Sequence, residues 1–306
     1  MEILGAQETA ARLTYVDLAE SIREMALRRN SGGVEAPPRL ALPLPEGGVL
    51  LAMPASDAKI AITKLVTVHP QNPGRDLPTI QGEVVVMEAA TGRRLGILDG
   101  SVVTARRTAA LSLLAARELA PNPDGPLLIV GAGTQGRAHL EAFHEGLGVS
   151  RVFITSRTTE RAESLGQYAA ELGMEARAVE DPEEALGEAR LVVTATTSRE
   201  PMLPEEVAEG TFVAAVGSFE PEAAEVPAGL ISRSTVVVDT LEGAREEAGD
   251  LIQAERSGAF SWNSVTSLGD ALRAAERPAG TTVFKSVGHA VWDLAAARTA
   301  FSGQSY

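Results

Sequence analysis

The 306-residue chain contains no cysteine, so disulfides, thiolate nucleophiles and thiolate metal sites are excluded. Histidine is scarce. His69, His139, His144 and His289 lie far apart, with no pair at metal-ligand spacing and no Ser-His-Asp pattern. Each is read as a packing or surface residue, and no metal is expected. Lysine is rarer still: only Lys59, Lys64 and Lys285 occur, and every other side-chain cation is arginine or histidine. No apolar run approaches the roughly 18 residues of a membrane span. The first residues, MEILGAQETAARL, carry Glu2 and Glu8 and lack the basic start of a secretory signal, so a cytoplasmic location is expected. Basic charge is in deficit overall. A net charge of −14 disfavours nucleic acid or an anionic membrane as partner, and an anionic substrate would need a local cationic pocket.

What is present is a soluble globular composition, 44% hydrophobic and 22% charged, with length enough for two domains. Residues 8–29 read as an amphipathic helical region. Prolines and alternating apolar residues then suggest short strands, followed by strands at 59–68, 80–88 and 95–98. Residues 99–120 make a helix rich in alanine and leucine. Residues 1–120 thus predict an α+β domain. After the linker PNPDGP at 121–126, short apolar strands at 127–130, 152–155, 175–179, 191–195, 212–216 and 236–238 alternate with helices. That alternation predicts a parallel sheet covered on both faces, an α/β domain of Rossmann type over 121–280. The tail, about 281–306, holds a helix from about Ser286 to Ala300 and is assigned to the first domain.

The most informative stretch is LLIVGAGTQG at 127–136, where a strand runs into glycines spaced GxGxxG and a helix follows. Gly131 permits the tight turn, Gly133 lets the backbone approach a pyrophosphate, and Gly136 lets helix and strand pack closely. Free N–H groups at the helix start would hold the phosphates. An NAD site usually places Asp or Glu about 20 residues further on, against the ribose 2′-hydroxyl. Ser156, Arg157 and Thr158 stand there instead. A cation with neighbouring hydroxyls suits a 2′-phosphate, with Arg161 on the same face, so NADP(H) is preferred over NAD(H). In the first domain three cations sit among apolar residues: Arg39 in APPRLAL, Lys64 in IAITKLVTV and Arg107 in VVTARRTAALSLLA. Buried cations need anionic partners, so these three are a candidate carboxylate-binding cluster or structural ion pairs.

Several segments together resemble the ornithine cyclodeaminase/mu-crystallin family over nearly the whole chain. They include PPRLAL at 37–42, TKLVTVHPQN at 63–72, DGSVVTARRTAA from 99, GAGTQGRAHLEAF at 131–143 and TVFKSVGHAVWDLAAA at 282–297. The resemblance implies a homodimer in which the first domain and the tail serve substrate binding and dimerisation beside an NADP-binding Rossmann domain. It assigns Arg39, Lys64 and Arg107 to the substrate carboxylate, with Lys64 the catalytic candidate. It assigns Gly131, Gly133, Thr134 and Gln135 to the phosphate loop. Ser156, Arg157 and Thr158 fall at the adenosine end, and Lys285, Ser286 and Gly288 near the nicotinamide.

The family's deaminating members carry a catalytic Asp where this chain has Phe219, in the run Val216-Gly217-Ser218-Phe219-Glu220-Pro221. A phenyl ring cannot take a proton. Glu220 would serve only if the loop shifted. The resemblance therefore implies NADPH-dependent reduction of a small cyclic imino acid, Δ1-pyrroline-2-carboxylate or Δ1-piperideine-2-carboxylate, as in the family's bacterial ketimine reductases. The competing implications are an alanine-type amino-acid dehydrogenase, a cyclodeaminase, and a non-catalytic NADPH and ligand binder of the mu-crystallin type.

Overall fold

The structure, a computed structural model, describes residues 1–29, 31–274 and 276–303. The last three residues of the expected tail therefore lie outside the described ones. The chain forms two compact units.

The first unit comprises Met1–Arg107 and the chain from His289 onward. Its elements begin with β1 (Glu2–Leu4), α1 (Ala6–Ala11) and α2 (Tyr15–Arg29). The single helical region expected over 8–29 is thus two helices. The break follows from Thr14, whose hydroxyl accepts the Asp17 N–H at 3.3 Å and donates to the Asp17 carboxylate at 2.7 Å, starting a new helix. Strands β2 (Val34–Glu35), β3 (Leu40–Pro43), β4 (Val49–Asp57), β5 (Ile60–Val68), β6 (Ile80–Glu88) and β7 (Arg94–Asp99) follow, then α3 (Gly100–Leu119). They form one mainly antiparallel sheet in the order β1-β7-β6-β5-β4-β2, with β3 also on β4. Asp57 closes the β4–β5 hairpin by accepting the N–H groups of Lys59 and Ile60 at 2.8 and 3.0 Å.

Alternation along these strands separates two faces. Met53, Ala55, Ile62, Lys64, Val66, Val84 and Val86 are buried. The C-terminal helix, Ala290–Ala300, packs on β4, β5 and α2. On alternate positions the register aligns Leu40 with Ala52 and Ala52 with Leu65. Leu40, Leu42 and Leu65 are exposed.

The second unit is Thr108–Gly288, so the division falls inside α3 and after Gly288. The proline-rich stretch 121–126 is a turn within this unit, between α3 and the next strand. The elements are β8 (Leu127–Val130), α4 (Thr134–Leu147), β9 (Arg151–Thr155), α5 (Thr159–Glu171), β10 (Glu175–Ala178), α6 (Glu183–Leu186), β11 (Leu191–Thr194) and β12 (Phe212–Ala215). Next come α7 (Ala228–Ser232), β13 (Thr235–Val238), α8 (Leu241–Glu247), α9 (Gly249–Arg256), β14 (Val265–Ser267), α10 (Leu268–Ala274) and β15 (Thr282–Lys285). All eight strands pair in parallel, in the order β10-β9-β8-β11-β12-β15-β13-β14. Every residue of β8, β11, β12 and β15 is buried, which explains their near-continuous apolar sequences.

The strand β15 corrects the placement of 281–288 with the first domain. TVFK is a central strand between β12 and β13. Nor does the tail helix begin at Ser286. It starts at Ala290, because Ser286 and Gly288 are held outside a helix by hydrogen bonds to Asp239. Among the described residues no helix is long and apolar enough to cross a membrane.

Candidate active site

The first unit brings together three cations that lie far apart in sequence. Lys64 projects from β5 to the buried face, where the residue is 2% exposed. Its Nζ lies 2.8 Å from one oxygen of Asp293, on the C-terminal helix, and donates to the other at 3.0 Å. Arg107, on α3, is also buried, with Nε 3.4 Å from Asp293. Two cations therefore share one carboxylate, and Arg107 Nε has no hydrogen-bond partner. Arg39, half-buried just before β3, acts on the same ammonium through its charge. Burial pulls the Lys64 pKa down. Asp293 partly restores it, while Arg107 and Arg39 lower it further, to about 8. A buried guanidinium N–H without a hydrogen bond is costly, which leaves Arg107 Nε able to donate to a further acceptor.

Asp293 escaped the sequence reading. The signal was available, since Asp293 is the one acid in an otherwise apolar run, AVWDLAAA, just as the cations were conspicuous in theirs.

In the second unit the parallel sheet changes direction of winding between β8 and β11. Successive units run outward to β9 and β10 on one side and to β11 and β12 on the other. Ligands in such sheets bind outside the carboxyl ends of the strands at this switch point. The glycine turn lies there, each glycine with its own reason. Gly131 has φ +112°, and a Cβ on it would lie 2.5 Å from the Ala195 carbonyl oxygen. A Cβ on Gly136 would lie 2.0 Å from the Gly131 carbonyl oxygen. A Cβ on Gly133 would meet no protein atom within 4 Å. Gly133 therefore faces open space that a ligand can fill. It is also the N-cap of α4 and provides no side-chain cap, which leaves first-turn N–H groups of Thr134 and Gln135 for an anion.

His139 braces this turn. It is fully buried on α4, with Nδ1 2.8 Å from the Gln135 carbonyl and Nε2 2.9 Å from Ser112 Oγ. A carbonyl only accepts, so Nδ1 carries the proton and Nε2 accepts from Ser112. Burial lowers its pKa to about 4 against a smaller opposing effect of the Gln135 bond, so the ring is neutral at ordinary pH.

At the end of β9, Ser156 is half-buried, and Arg157, Thr158 and Arg161 are exposed. No carboxylate stands at the strand end to oppose a phosphate. Lys285, Ser286 and Gly288 are all buried. The Lys285 ammonium is 0% exposed, 2.6 Å from Asp250, and donates to the Ser218 carbonyl at 2.9 Å. Ser286 Oγ and the Gly288 N–H both donate to Asp239 at 2.8 Å. These polar groups are engaged inside the protein and fix the chain segments that carry them.

A parallel sheet with a glycine cradle at its switch point defines a dinucleotide-binding fold of the Rossmann class. Comparison with known proteins narrows the class. The chain belongs to the ornithine cyclodeaminase/mu-crystallin family, whose profile matches residues 2–303. It is 40% identical over 303 residues to Delta(1)-pyrroline-2-carboxylate reductase 1 of Burkholderia multivorans, covering 97% of this chain and 94% of the relative. It is 40% identical over 299 residues to the Delta(1)-pyrroline-2-carboxylate/Delta(1)-piperideine-2-carboxylate reductase of Azospirillum brasilense, covering 97% and 94%. Among solved structures, Thermococcus litoralis Delta(1)-pyrroline-2-carboxylate reductase in complex with NADH and L-proline superimposes with a TM-score of 0.92. It is 27% identical, with 99% of this chain and 97% of that chain covered.

Proposed function

We propose that the protein is an NADPH-dependent reductase of small cyclic imino acids, converting Δ1-pyrroline-2-carboxylate or Δ1-piperideine-2-carboxylate to L-proline or L-pipecolate. The observation that carries this reading is the Lys64–Arg107–Asp293 cluster with its unpartnered Arg107 Nε. The reductases to which the chain is similar support the substrate class.

Arg39 and Arg107 hold the substrate carboxylate by charge-assisted hydrogen bonds, which fixes the orientation of the imine. Asp293 holds Lys64 and Arg107 in place. Lys64, protonated below about pH 8, adds charge to the carboxylate site and keeps a proton close to the imine nitrogen. Gly131, Gly133, Thr134 and Gln135 seat the pyrophosphate. The absence of a carboxylate after β9, with Ser156, Arg157 and Thr158 in its place, supports a 2′-phosphate and hence NADPH. When bound, the cofactor supplies the hydride. Phe219, 40% exposed on the loop after β12, has no proton to exchange, which disfavours deamination. The unmatched leucines of β3 and β5 support a homodimer.

The test is an assay of the purified protein with NADPH and each ketimine, following nicotinamide absorbance. Turnover of at least one ketimine, faster with NADPH than with NADH, is expected. Release of proline from ornithine with catalytic NAD, and no ketimine turnover, would overturn the reading. Reductive amination of pyruvate in its place would do the same.

A further inference from the structure

The sheet order sets the path of a dinucleotide whose pyrophosphate lies at the start of α4. If its adenosine lies at the end of β9, on one side of β8, its other half runs over the carboxyl ends of β11 and β12. The loops leaving these two strands are joined by one buried carboxylate. Glu225 is 0% exposed. Its Oε1 accepts the Thr196 N–H at 2.7 Å and the Thr196 hydroxyl at 2.9 Å, and its Oε2 accepts the Gly217 N–H at 2.7 Å. The glutamate is itself anchored. Asp250 Oδ1 accepts the N–H groups of Glu225 and Val226 at 2.6 and 2.9 Å, and Asp250 Oδ2 faces Lys285. The Lys285 ammonium reaches on to the Ser218 carbonyl, so the residues on either side of the Gly217–Ser218 peptide are both pinned.

The assembly has no slack. A Cβ on Gly217 would lie 2.3 Å from the Thr196 carbonyl oxygen and 2.5 Å from Glu225 Oε1. The Ala195 carbonyl that precedes Thr196 is the group against which Gly131 is packed. Burial raises the Glu225 pKa, Lys285 opposes that effect and Asp250 adds to it. Apolar packing of similar volume would avoid the desolvation of three charged groups. What a carboxylate adds is the fixing of individual main-chain N–H groups at defined points, and those it fixes border the ligand edge of the sheet.

We propose that Glu225, backed by Asp250 and Lys285, is a positioning residue that sets the loops after β11 and β12 as the floor for the nicotinamide half of the cofactor. This rests on the dinucleotide reading above.

The experiment compares two nucleotides on the Glu225→Gln variant by titration calorimetry: NADPH, and 2′-phospho-ADP-ribose, which lacks the nicotinamide. Should the wild type favour NADH, the pair becomes NADH and ADP-ribose. The Kd for NADPH is expected to rise about tenfold, as loss of one strong charged hydrogen-bond acceptor implies. The Kd for the nicotinamide-free nucleotide is expected to stay within about twofold. Equal weakening of both, or of neither, overturns the proposal. If Glu225→Gln fails to fold, Thr196→Val leaves the carboxylate and removes the hydroxyl that donates to it and accepts the Ser198 N–H. It should weaken NADPH several-fold with the same selectivity, and unchanged NADPH binding would overturn the proposal. A wild-type protein that binds no nicotinamide nucleotide refutes the underlying reading instead, and that result needs no variant.

Discussion

Lys64 releases its proton more readily than an exposed lysine, because the sheet face hides it and two arginines oppose it. The fall from 10.5 to about 8 corresponds to about 3 kcal/mol against the charged form. The cation is present below about pH 8 and lost above it. Thus kcat/KM for the ketimine should decline as pH rises through about 8, while Lys64→Arg, charged throughout, should remove that limb from whatever activity remains. A wild-type profile flat to pH 9.5, about 1.5 units above that pKa, would be incompatible with this role. Arg107 makes the complementary case. Arg107→Ala should lower kcat/KM by about 100-fold or more, with the Kd for NADPH held within about twofold. Comparable loss of both would mark Arg107 as a structural residue.

Helix α4 shows how an element can be fixed at its start. No side chain caps its first turn, which the proposed nucleotide site needs open, and His139 holds that turn from behind. The unfolded imidazole titrates near 6.5 and the folded one near 4. Below about pH 6.5 the unfolded chain takes up a proton that the fold refuses. The stability linked to this histidine is therefore full above that pH and is lost as pH falls towards 4. Urea unfolding of the wild type should show about 2 kcal/mol lost to this residue between pH 7 and 4.5, and His139→Gln should show a correspondingly smaller pH dependence. Gly133→Ala, which meets no protein atom, should fold normally yet weaken the nucleotide; equal affinity would show that the cradle is not used.

Such elements were legible in sequence to the extent that their pattern is local. The glycine turn, the apolar strands and the three cations could be read directly, because each depends on neighbours a few residues away. What escaped was set by distance in the chain. Asp293 lies 229 residues from Lys64, and no spacing rule links them. Sequence shows the position of Lys285 but not its partner, Asp250, which comes from α9. TVFK carries the same apolar signal as the other strands, but the strong helix after it obscured the boundary.

For the whole molecule, Leu40, Leu42 and Leu65 are exposed, and the homodimer proposed above would cover them. Leu65→Glu should shift a dimer towards monomer in sedimentation velocity without lowering the stability of the monomer. An unaltered oligomeric state would place the interface elsewhere. The burial of lysine has another consequence. With Lys64 and Lys285 enclosed, Lys59 is the exposed lysine of the described surface. Among the lysines, acylating reagents should therefore modify the native protein at Lys59, and Lys64 and Lys285 only after opening. A mass spectrum of the acylated protein would then show, adduct by adduct, how much of the population is folded.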